Sequence, residues 1–309
     1  MATYLITGGA GFIGSHVATL ALELGHQVTV LDNLSTGSLV NLANIKDHAN
    51  FSFCEEDICN PESYDHLIEG VEHIIHCAAK ISVAESVAKP DLYEKVNVEG
   101  TRNLLEAAIK YGVKSFVLSS SAAVYGDNPI LPKTELMQAE PKSPYADNKY
   151  QDEILLQEYS DKSDLRTVAL RYFNVFGPKQ DPHSPYAAAM PHFINQAESQ
   201  QDITIFGDGE QTRDFVFVED VAKANLMASE SGEGIFNIAN GGSITITELA
   251  EKIKNYLNAN SKICYAAERA GDIKHSKADV SKMRAQWPGL KNESFDEALG
   301  KTIEYYVNG

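Results

Sequence analysis

Short apolar runs separated by helical segments dominate the first half of the chain. The runs are rich in β-branched residues and read TYLIT, QVTVLD, FSFCE, HIIHCA, SFVLSSS and TVALRYF. Runs of this kind that alternate with helices are typical of a parallel sheet whose strands are joined by crossover helices. The pattern therefore predicts an α/β fold with a doubly wound parallel sheet.

The pattern changes after Gly177. A loop rich in proline and polar residues, GPKQDPHSPY, is followed by a predicted short helix near residues 187–196 and then by scattered strands and helices. Ser294 and Glu297 have the spacing of a capping box and predict a last helix in ESFDEALGKTIEYYV. We expect a first domain over residues 1–173 and a smaller α/β lobe over residues 174–309, with some segments returning to the first domain.

Charge and cysteine content narrow the possible functions. The chain has 26 Lys and Arg against 43 Asp and Glu, a net charge of −17, which disfavours general binding to nucleic acid or to anionic membranes. Its cysteines form no CxxC pair and no metal-binding spacing with histidines, so we expect buried free thiols and no metal site; they are Cys54, Cys59, Cys77 and Cys264. Without a signal-peptide pattern or a long apolar run, the protein is expected in the cytoplasm.

A glycine motif follows the first apolar run. Gly8, Gly11 and Gly14 lie between a predicted strand and a predicted helix. There the first glycine permits a tight turn, the second admits a pyrophosphate beside the backbone, and the third lets the helix pack closely. Asp32 ends the next strand, where a carboxylate binds both ribose hydroxyls and repels a 2′-phosphate. The motif predicts bound NAD rather than NADP; the alternative is an acid that only caps a loop.

Neighbouring residues complete the predicted NAD site. Asp57 and Ile58 follow the third strand and are expected to border the adenine, although an ordinary surface loop would look the same. The residues assigned to the cofactor together with the glycines and Asp32 are Phe12, Ile13 and Asn33.

Tyr145 and Lys149 are four residues apart at the start of a predicted helix, so both side chains project from one face. A free phenol has a pKa of about 10 and is a poor base at neutral pH, but a neighbouring ammonium and the positive nicotinamide ring favour the phenolate. Tyr145 is therefore a candidate base for a hydroxyl proton. On spacing alone, an exposed tyrosine beside a solvated lysine would fit as well.

Four motifs occur in one order: TGGAGFIGS, SSSAAVYG, the Tyr145–Lys149 pair and LRYFNVFGP. Together they resemble the extended short-chain dehydrogenase/reductase superfamily of nucleotide-sugar enzymes over essentially the whole chain. Within that superfamily the sequence is most similar to the UDP-hexose 4-epimerases, since GDGEQTRDFVFVEDV and ERAGDIKHSKADVSK match them too. The resemblance implies a Rossmann-type fold, a bound NAD and a UDP-sugar substrate.

The resemblance also implies roles in the first domain. Ser121 would bind the sugar 4-hydroxyl and help to relay its proton, Tyr145 would be the base, and Lys149 would hold the nicotinamide ribose. Ser119 and Ser120 would be structural or face the cofactor. Further cofactor contacts implied by the resemblance are Cys77, Ala78, Ala79, Lys80, Asn97 and Phe173.

Two of these implications extend beyond single contacts. The family places Asn97 behind the catalytic serine, although a buried asparagine bonded to helix backbone would look the same from the sequence. In relatives, the helix over residues 90–111 and the one after Tyr145 pack between subunits, so the resemblance implies a homodimer.

The smaller lobe would hold the UDP-sugar. The protein is acidic, so a diphosphate needs its own cations, and guanidinium groups suit phosphate oxygens well. By resemblance Arg213 and Arg269 bind the diphosphate, although a surface ion pair is the ordinary explanation for either arginine alone. The remaining substrate contacts implied are Asn174 for the sugar and diphosphate, Asp272 for the uridine ribose, and Tyr186 near the uracil.

Ser276 bears on the choice of sugar. It aligns where epimerases restricted to non-acetylated hexoses carry a bulky tyrosine and where those that accept N-acetylhexosamines carry a small residue. A small residue leaves room for an acetamido group, but opening space excludes nothing. Ser276 therefore permits UDP-GlcNAc without proving a preference, while His275 beside it is interpreted as a surface residue.

The sequence predicts a 4-epimerase that interconverts UDP-GlcNAc with UDP-GalNAc, and UDP-Glc with UDP-Gal, through a transient 4-keto sugar. Related dehydratases need an acid pair after the serine position, and related decarboxylases need a glutamate there, but this chain has Ala122 and Ala123. A UDP-glucuronate 4-epimerase remains an alternative, as does a regulator that senses NAD without catalysis.

Overall fold

The computed structural model describes residues 1–181, 189–268 and 273–308. The strands are β1 (Thr3–Thr7), β2 (Gln27–Leu31), β3 (Phe51–Cys54), β4 (His73–His76), β5 (Ser115–Ser121), β6 (Arg166–Tyr172), β7 (Asn174–Phe176), β8 (Ile203–Phe206), β9 (Thr212–Arg213), β10 (Phe215–Phe217), β11 (Gly234–Ile238), β12 (Ile244–Thr245) and β13 (Ile263–Ala266). The α-helices are α1 (Phe12–Glu23), α2 (Pro61–Tyr64), α3 (Val83–Ala88), α4 (Pro90–Tyr93), α5 (Gly100–Lys110), α6 (Pro144–Asp161), α7 (Ala189–Glu198), α8 (Val218–Glu230), α9 (Ile246–Tyr256), α10 (Ser281–Gln286) and α11 (Phe295–Asn308).

A seven-stranded parallel sheet forms the first domain, in the order β3-β2-β1-β4-β5-β6-β11. Side chains alternate between the two faces of each strand, and both faces are buried. In β1, Tyr4 and Ile6 join the core beneath α1 and α8, whereas Leu5 joins the core beneath α5 and α6. Burial on both faces explains why the strands read as continuous apolar runs.

The second lobe consists of short strand pairs around its own core. β7 pairs with β10 and β8 with β13, both in parallel, and β9 pairs with β12 in the antiparallel direction. Helices α7, α9 and α11 cover an apolar cluster that contains Phe176, Phe215 and Phe217. Phe12 and Ile13, at the start of α1, pack against this cluster, so the two regions meet beside the glycine loop.

The structure confirms the predicted α/β fold class, and each of the six apolar runs forms a strand of the large sheet. β11 is the seventh strand, and α8 packs against α1, so residues 218–238 return to the first domain. The predicted helix near residues 187–196 corresponds to α7. The last helix is α11, and the Ser294 hydroxyl accepts the Glu297 N–H at 3.4 Å.

Two further expectations concern burial and membranes. The cysteines are free, but the prediction of buried thiols is wrong: Cys264 is exposed because the middle of β13 faces solvent, and the other three are only half-buried, namely Cys54, Cys59 and Cys77. Within the described ranges, none of the helices is long and apolar enough to cross a lipid bilayer.

Candidate active site

The glycine loop joins β1 to α1 and leaves no space for side chains. Gly8 has a φ of +66°, and a Cβ there would lie 2.6 Å from the backbone nitrogen of Ala78. A Cβ on Gly14 would lie 2.3 Å from the carbonyl oxygen of Gly8. Gly11 is the N-cap of α1, so the unpaired N–H groups of the first helical turn face the loop. This geometry gives a phosphate a close approach to backbone donors.

Asp32 lies directly after β2, at the same edge of the sheet as the glycine loop. Its carboxylate accepts the N–H of Ala10 at 2.9 Å and the N–H of Leu34 at 2.8 Å. Burial raises the pKa of Asp32, and the two backbone hydrogen bonds oppose this shift. The carboxylate therefore caps the loop and at the same time occupies the position that a ribose diol requires, so the two interpretations of Asp32 are compatible.

The predicted adenine border follows β3. Asn33 donates a hydrogen bond to Asp57 at 2.9 Å, and Asp57 also accepts the Cys59 N–H at 2.8 Å. These bonds help to lower the pKa of Asp57, although partial burial opposes them. The Ile58 side chain is buried against Gly100 in the core beneath α5. Asn33 and Asp57 thus present polar groups at this edge, whereas Ile58 packs into the core beneath it.

The loop after β4 carries Ala78, Ala79 and Lys80 beside the glycine turn. Asn97 is fully buried and fixes this loop, because its side chain accepts the Lys80 N–H at 2.8 Å and donates to the Lys80 carbonyl at 3.0 Å. Both ends of the Asn97 amide are therefore occupied by the loop backbone. Sequence reasoning left a structural and a cofactor role open for Asn97, and the geometry shows a support for the cofactor loop.

These residues fit a dinucleotide. The Cβ clashes at Gly8 and Gly14 show that the loop brings backbone against backbone, and Asp32 places a carboxylate at the adjacent strand end. This arrangement could hold the two phosphates and a ribose of a dinucleotide at the carboxyl ends of β1 and β2.

The three serines of SSSAAVYG have different surroundings. Ser120 points to one face of the sheet and donates a hydrogen bond to Glu153 at 2.5 Å, so it is structural. Ser119 lies on the other face, with its hydroxyl 3.2 Å from the Cys77 sulfur and 3.1 Å from the Tyr172 hydroxyl. Ser121 ends β5 and its half-buried hydroxyl accepts the N–H of Ala123 at 3.1 Å. Of the three, Ser121 is the one at the carboxyl end of the strand.

Tyr145 and Lys149 lie on the first turns of α6. Ser143 caps this helix by accepting the Ala146 N–H at 3.2 Å, and Pro144 occupies its first position. Helix α6 contacts β5 and the 3-10 turn Ala122–Tyr125 that follows Ser121. Tyr145 is half-buried, whereas Lys149 is buried and its ammonium lies 3.7 Å from the carboxylate of Asp152. The structure thus brings Ser121 and the Tyr145–Lys149 pair to one end of the sheet.

A buried polar chain lies behind these residues, and sequence reasoning missed it. The Thr7 hydroxyl lies 2.6 Å from His76 Nδ1, and His76 Nε2 lies 3.0 Å from the Thr101 hydroxyl. Burial lowers the pKa of His76 to about 3, so the ring is neutral. Asp152 lies nearby on α6. It is the one group here that the sequence could have indicated, because it is a carboxylate on the buried face of a helix, three residues after Lys149.

The second lobe presents its polar residues on the short strands. Asn174 begins β7, directly after Phe173, and Arg213 lies on β9. Arg213 donates to the carbonyl of Thr212 at 2.8 Å, and the N–H of Ser276 donates to that same carbonyl at 3.1 Å. Arg213 and Ser276 are therefore neighbours, and both are half-buried. His275 is exposed, as expected.

Asp214 is a second functional residue that sequence reasoning missed. It is fully buried between β9 and β10, and its carboxylate accepts the N–H groups of Asn240, Gly241 and Ala278 at 2.9 to 3.2 Å. Burial raises its pKa to about 6 despite these bonds. Asp214 therefore fixes the chain around Arg213 and Ser276. Three predicted substrate contacts lie outside the described residues: Tyr186, Arg269 and Asp272.

Comparison with known proteins supports this geometry. Residues 4–239 match the model of the NAD dependent epimerase/dehydratase family. A putative UDP-glucose 4-epimerase of Methanocaldococcus jannaschii is 37% identical over 306 residues, which cover 98% of each chain. The structure of a UDP-N-acetylglucosamine 4-epimerase from Methanobrevibacter ruminantium, in complex with UDP-N-acetylmuramic acid, has a TM-score of 0.95 and 39% identity over 99% of this chain and 98% of that one.

A third relative includes the cofactor. The UDP-glucose 4-epimerase of Thermus thermophilus, solved in complex with NAD, has a TM-score of 0.90 and 34% identity, covering 99% of each chain. The glycine loop and Asp32 agree with the cofactor named by the family model. This chain belongs to the NAD dependent epimerase/dehydratase family, and its cofactor is NAD.

Proposed function

We propose that the protein is a UDP-sugar 4-epimerase that works through a transient 4-keto sugar. The observation that carries this proposal is the end of β5, where the Ser121 hydroxyl is followed by Ala122 and Ala123 in a 3-10 turn packed against α6. The turn offers a hydroxyl beside the Tyr145–Lys149 pair but no carboxylate that could drive elimination. A keto sugar held there would therefore be reduced again by the returning hydride rather than undergo elimination.

The chain's own residues perform the acid and base work. Tyr145 removes the proton from the sugar 4-hydroxyl while the Ser121 hydroxyl holds that oxygen by a hydrogen bond, and both groups act in reverse when the hydroxyl reforms. Lys149 holds the nicotinamide ribose and favours the phenolate of Tyr145 by its charge. The glycine loop, Asp32 and Lys149 would hold NAD, which would supply reversible hydride transfer at C4 without net oxidation.

Inversion requires the sugar to present its other face while the UDP remains bound. Arg213 holds the diphosphate from the second lobe, with Arg269 as its proposed partner, and Asn174 binds the sugar side of the diphosphate. Guanidinium groups suit this task because they bind phosphate oxygens in pairs. Tyr186 and Asp272 are proposed contacts for the uracil and the uridine ribose. A clamp on the diphosphate leaves the hexose free to rotate.

We propose that the substrates include UDP-GlcNAc and UDP-GalNAc as well as UDP-Glc and UDP-Gal. Ser276 supports this breadth, because its small half-buried side chain lies beside the strand that carries Arg213. A bulky residue there would fill the space for the C2 acetamido group, whereas serine leaves that space open.

One assay tests the function directly. The purified protein, without added NAD, is incubated separately with UDP-Glc, UDP-GlcNAc and UDP-glucuronate, and the products are separated by chromatography. Formation of the 4-epimers of the first two sugars supports the proposal. Epimerisation of UDP-glucuronate alone would assign the alternative substrate, release of CO2 or accumulation of a keto sugar would contradict epimerisation, and tight NAD binding without turnover would indicate a regulator.

We also propose that the protein is a homodimer. Helices α4, α5 and α6, which the family resemblance assigns to the subunit contact, expose Leu92, Ile109 and Ile154, with about two fifths of the Ile109 and Ile154 surfaces accessible (39% and 42%). Sedimentation of the wild type and of Ile154→Lys tests this assignment. A monomeric wild type would exclude it, and a dimer that loses its second subunit in the variant would support it.

A further inference from the structure

Asp152 is a buried carboxylic acid that neither the fold nor the proposed reaction explains. It lies on α6 with none of its surface exposed, and neither of its carboxyl oxygens makes a hydrogen bond. The ammonium of Lys149 is 3.7 Å from Oδ2, which is close enough for attraction but longer than a hydrogen bond. A buried charge without hydrogen bonds is costly, so this carboxyl is retained at an energetic cost.

The neighbouring hydroxyl cannot supply the missing donor. Thr101 donates its only proton to the carbonyl of Asn97, since a carbonyl can only accept. His76 Nε2 must therefore carry a proton and donate it to Thr101, which leaves His76 Nδ1 to accept from Thr7. The direction of the whole chain is fixed, and every proton in it is used. Lys149 therefore acts on Asp152 through its charge rather than through a hydrogen bond.

The other ionisable groups nearby are neutral or paired. Glu153 is bound to Arg171 by two hydrogen bonds, at 2.9 and 2.7 Å. Burial lowers the pKa of His76 to about 3 and raises the pKa of Cys77 to about 11, so both are neutral near pH 7. On the helices packed against this side of α6, Tyr93 donates to Glu85 at 3.2 Å, and Glu85 also pairs with Lys89.

Charge at Asp152 therefore acts chiefly on Lys149. Burial raises the pKa of Asp152 to about 7, although the charge of Lys149 opposes this shift. Below that pH the carboxyl is neutral, and the full positive charge of Lys149 acts toward Tyr145. Above it the carboxylate offsets part of that charge from behind.

We propose that Asp152 is a positioning residue that sets, by gaining and losing its proton, how strongly the Lys149 ammonium acts on Tyr145. This inference rests on the proposed role of Tyr145 as the base. The two protonation steps are coupled, so proton loss at this site extends over a broader pH range than it would for a single group. Removal of the carboxyl makes that titration sharper and moves it to lower pH.

The test compares Asp152→Asn with the wild-type protein. Asp147→Asn is the matched control, because Asp147 lies on the same helix two residues after Tyr145 but is exposed. Tyrosinate absorbance is measured against pH for each protein, and the curve of the same protein carrying Tyr145→Phe is subtracted to isolate Tyr145. We expect Asp152→Asn to shift the midpoint down by about half a pH unit or more, a threefold change in proton concentration, and to follow a single-proton curve.

The same comparison is made for the acid limb of kcat against pH. Coincident titrations of Asp152→Asn and wild type would overturn the inference, as would an equal shift in Asp147→Asn. Failure of the proposed function is distinguishable, since the wild type would then form no 4-epimer, whereas failure of the base assignment would appear as retained epimerase activity in Tyr145→Phe.

Two measurements remain if Asp152→Asn does not fold. Asp152→Ser removes the same charge with a smaller side chain, and the same downward shift is expected. Infrared spectroscopy of the wild type should show the carbonyl band of a protonated buried carboxyl that disappears as the pH rises through neutrality and is absent from Asp152→Ser, which separates it from any band of Asp214. A wild-type spectrum without any such pH-dependent band would also overturn the inference.

Discussion

The two regions of the molecule hold their functional residues by different means. In the first domain, Asp32 and Ser121 lie at the ends of long parallel strands, while Tyr145 begins an eighteen-residue helix packed on the same sheet. In the second lobe, Arg213 and Asn174 lie on strands of two and three residues. There the buried carboxylate of Asp214 ties three backbone N–H groups to the strand junction. The large sheet positions the proposed catalytic residues, whereas in the second lobe the hydrogen-bonded carboxylate of Asp214 holds the strands of the proposed substrate site.

The largest expected effect comes from removing the base in the first domain. Tyr145→Phe should lower kcat about a thousandfold, within the usual range for a lost acid/base group. The amount of bound NAD and the affinity for the UDP-sugar should change little, since the glycine loop and the second lobe are intact. Stopped assays with UDP-GlcNAc measure kcat, and calorimetry measures UDP-sugar binding.

Tyr159→Phe, at the far end of the same helix, is the control and should retain normal activity; its hydroxyl contacts Glu106 away from the site. An active Tyr145→Phe variant would show that Tyr145 is not the base. It would also contradict the view that the first domain carries the catalytic groups.

The next effect tests the close backbone approach in the glycine loop. In Gly14→Ala the added Cβ would meet the Gly8 carbonyl oxygen at 2.3 Å and Gly9 Cα at 2.8 Å, both backbone atoms. We expect a loss of about 3 kcal/mol in the free energy of unfolding, the upper part of the usual range for overpacking, and loss of bound NAD.

Gly242→Ala, in the second lobe, is the matched control because no atom lies within 4 Å of the position that its added Cβ would take. Denaturant unfolding and the absorbance of released NAD measure both variants. Equal stability of the two would show that the loop tolerates a side chain.

A smaller and more selective effect is expected in the second lobe. Ser276→Tyr should lower kcat/KM for UDP-GlcNAc about a hundredfold, or about 3 kcal/mol, while UDP-Glc turnover stays within a few fold. The phenol ring would fill the space beside Arg213 that an acetamido group needs. Ser276→Ala keeps the space open and should retain both activities, and equal losses on both sugars in Ser276→Tyr would contradict the steric role.

The last pair of variants compares the two buried carboxylates, Asp214 and Asp152. Their replacement should change the stability of the protein in opposite directions. Asp214→Asn keeps one acceptor oxygen but turns an NH2 donor toward at least one of the three backbone N–H groups, and it should destabilise the protein by about 2 kcal/mol. Asp152→Asn should stabilise it above pH 7 by at most about 4 kcal/mol, the equivalent of about three pKa units, since a buried charge that accepts no hydrogen bond is removed.

The pH dependence of the second effect has a defined sign. The folded-state pKa of Asp152 is raised to about 7, against about 4 in the unfolded chain. Stability that the neutral carboxyl contributes is complete below pH 4 and is lost as the pH rises to 7. The gain in Asp152→Asn should therefore be absent at pH 4 and grow toward pH 7, as measured by thermal unfolding. A constant gain across this range would refute the assignment.

The fold was more predictable than the site. Six strands were legible because both faces of the large sheet are buried, which makes the strands continuously apolar. β11 was not singled out, since GIFNI lies far along the chain from its neighbour β6. Strands of two residues, such as β9 and β12, leave no periodicity to read.

Within the site, residue type and spacing pointed to Gly8, Asp32, Ser121 and the Tyr145–Lys149 pair. The supporting groups were not predictable because their partners are distant in sequence. Thr101 and His76 are separated by 25 residues, and Ala278 and Asp214 by 64. Hydrogen bonds between such residues depend on tertiary packing, which a single sequence does not display.

The pairing of β11 at the edge of the large sheet has a consequence for folding during synthesis. On the ribosome, β6 keeps an unpaired edge until residues 234–238 have been synthesised, although every residue of the glycine loop and of the Tyr145–Lys149 pair has already been made. A nascent chain stopped at residue 173 would therefore carry the catalytic groups on an incomplete sheet. The first domain therefore completes its sheet only after the first part of the second lobe has been synthesised.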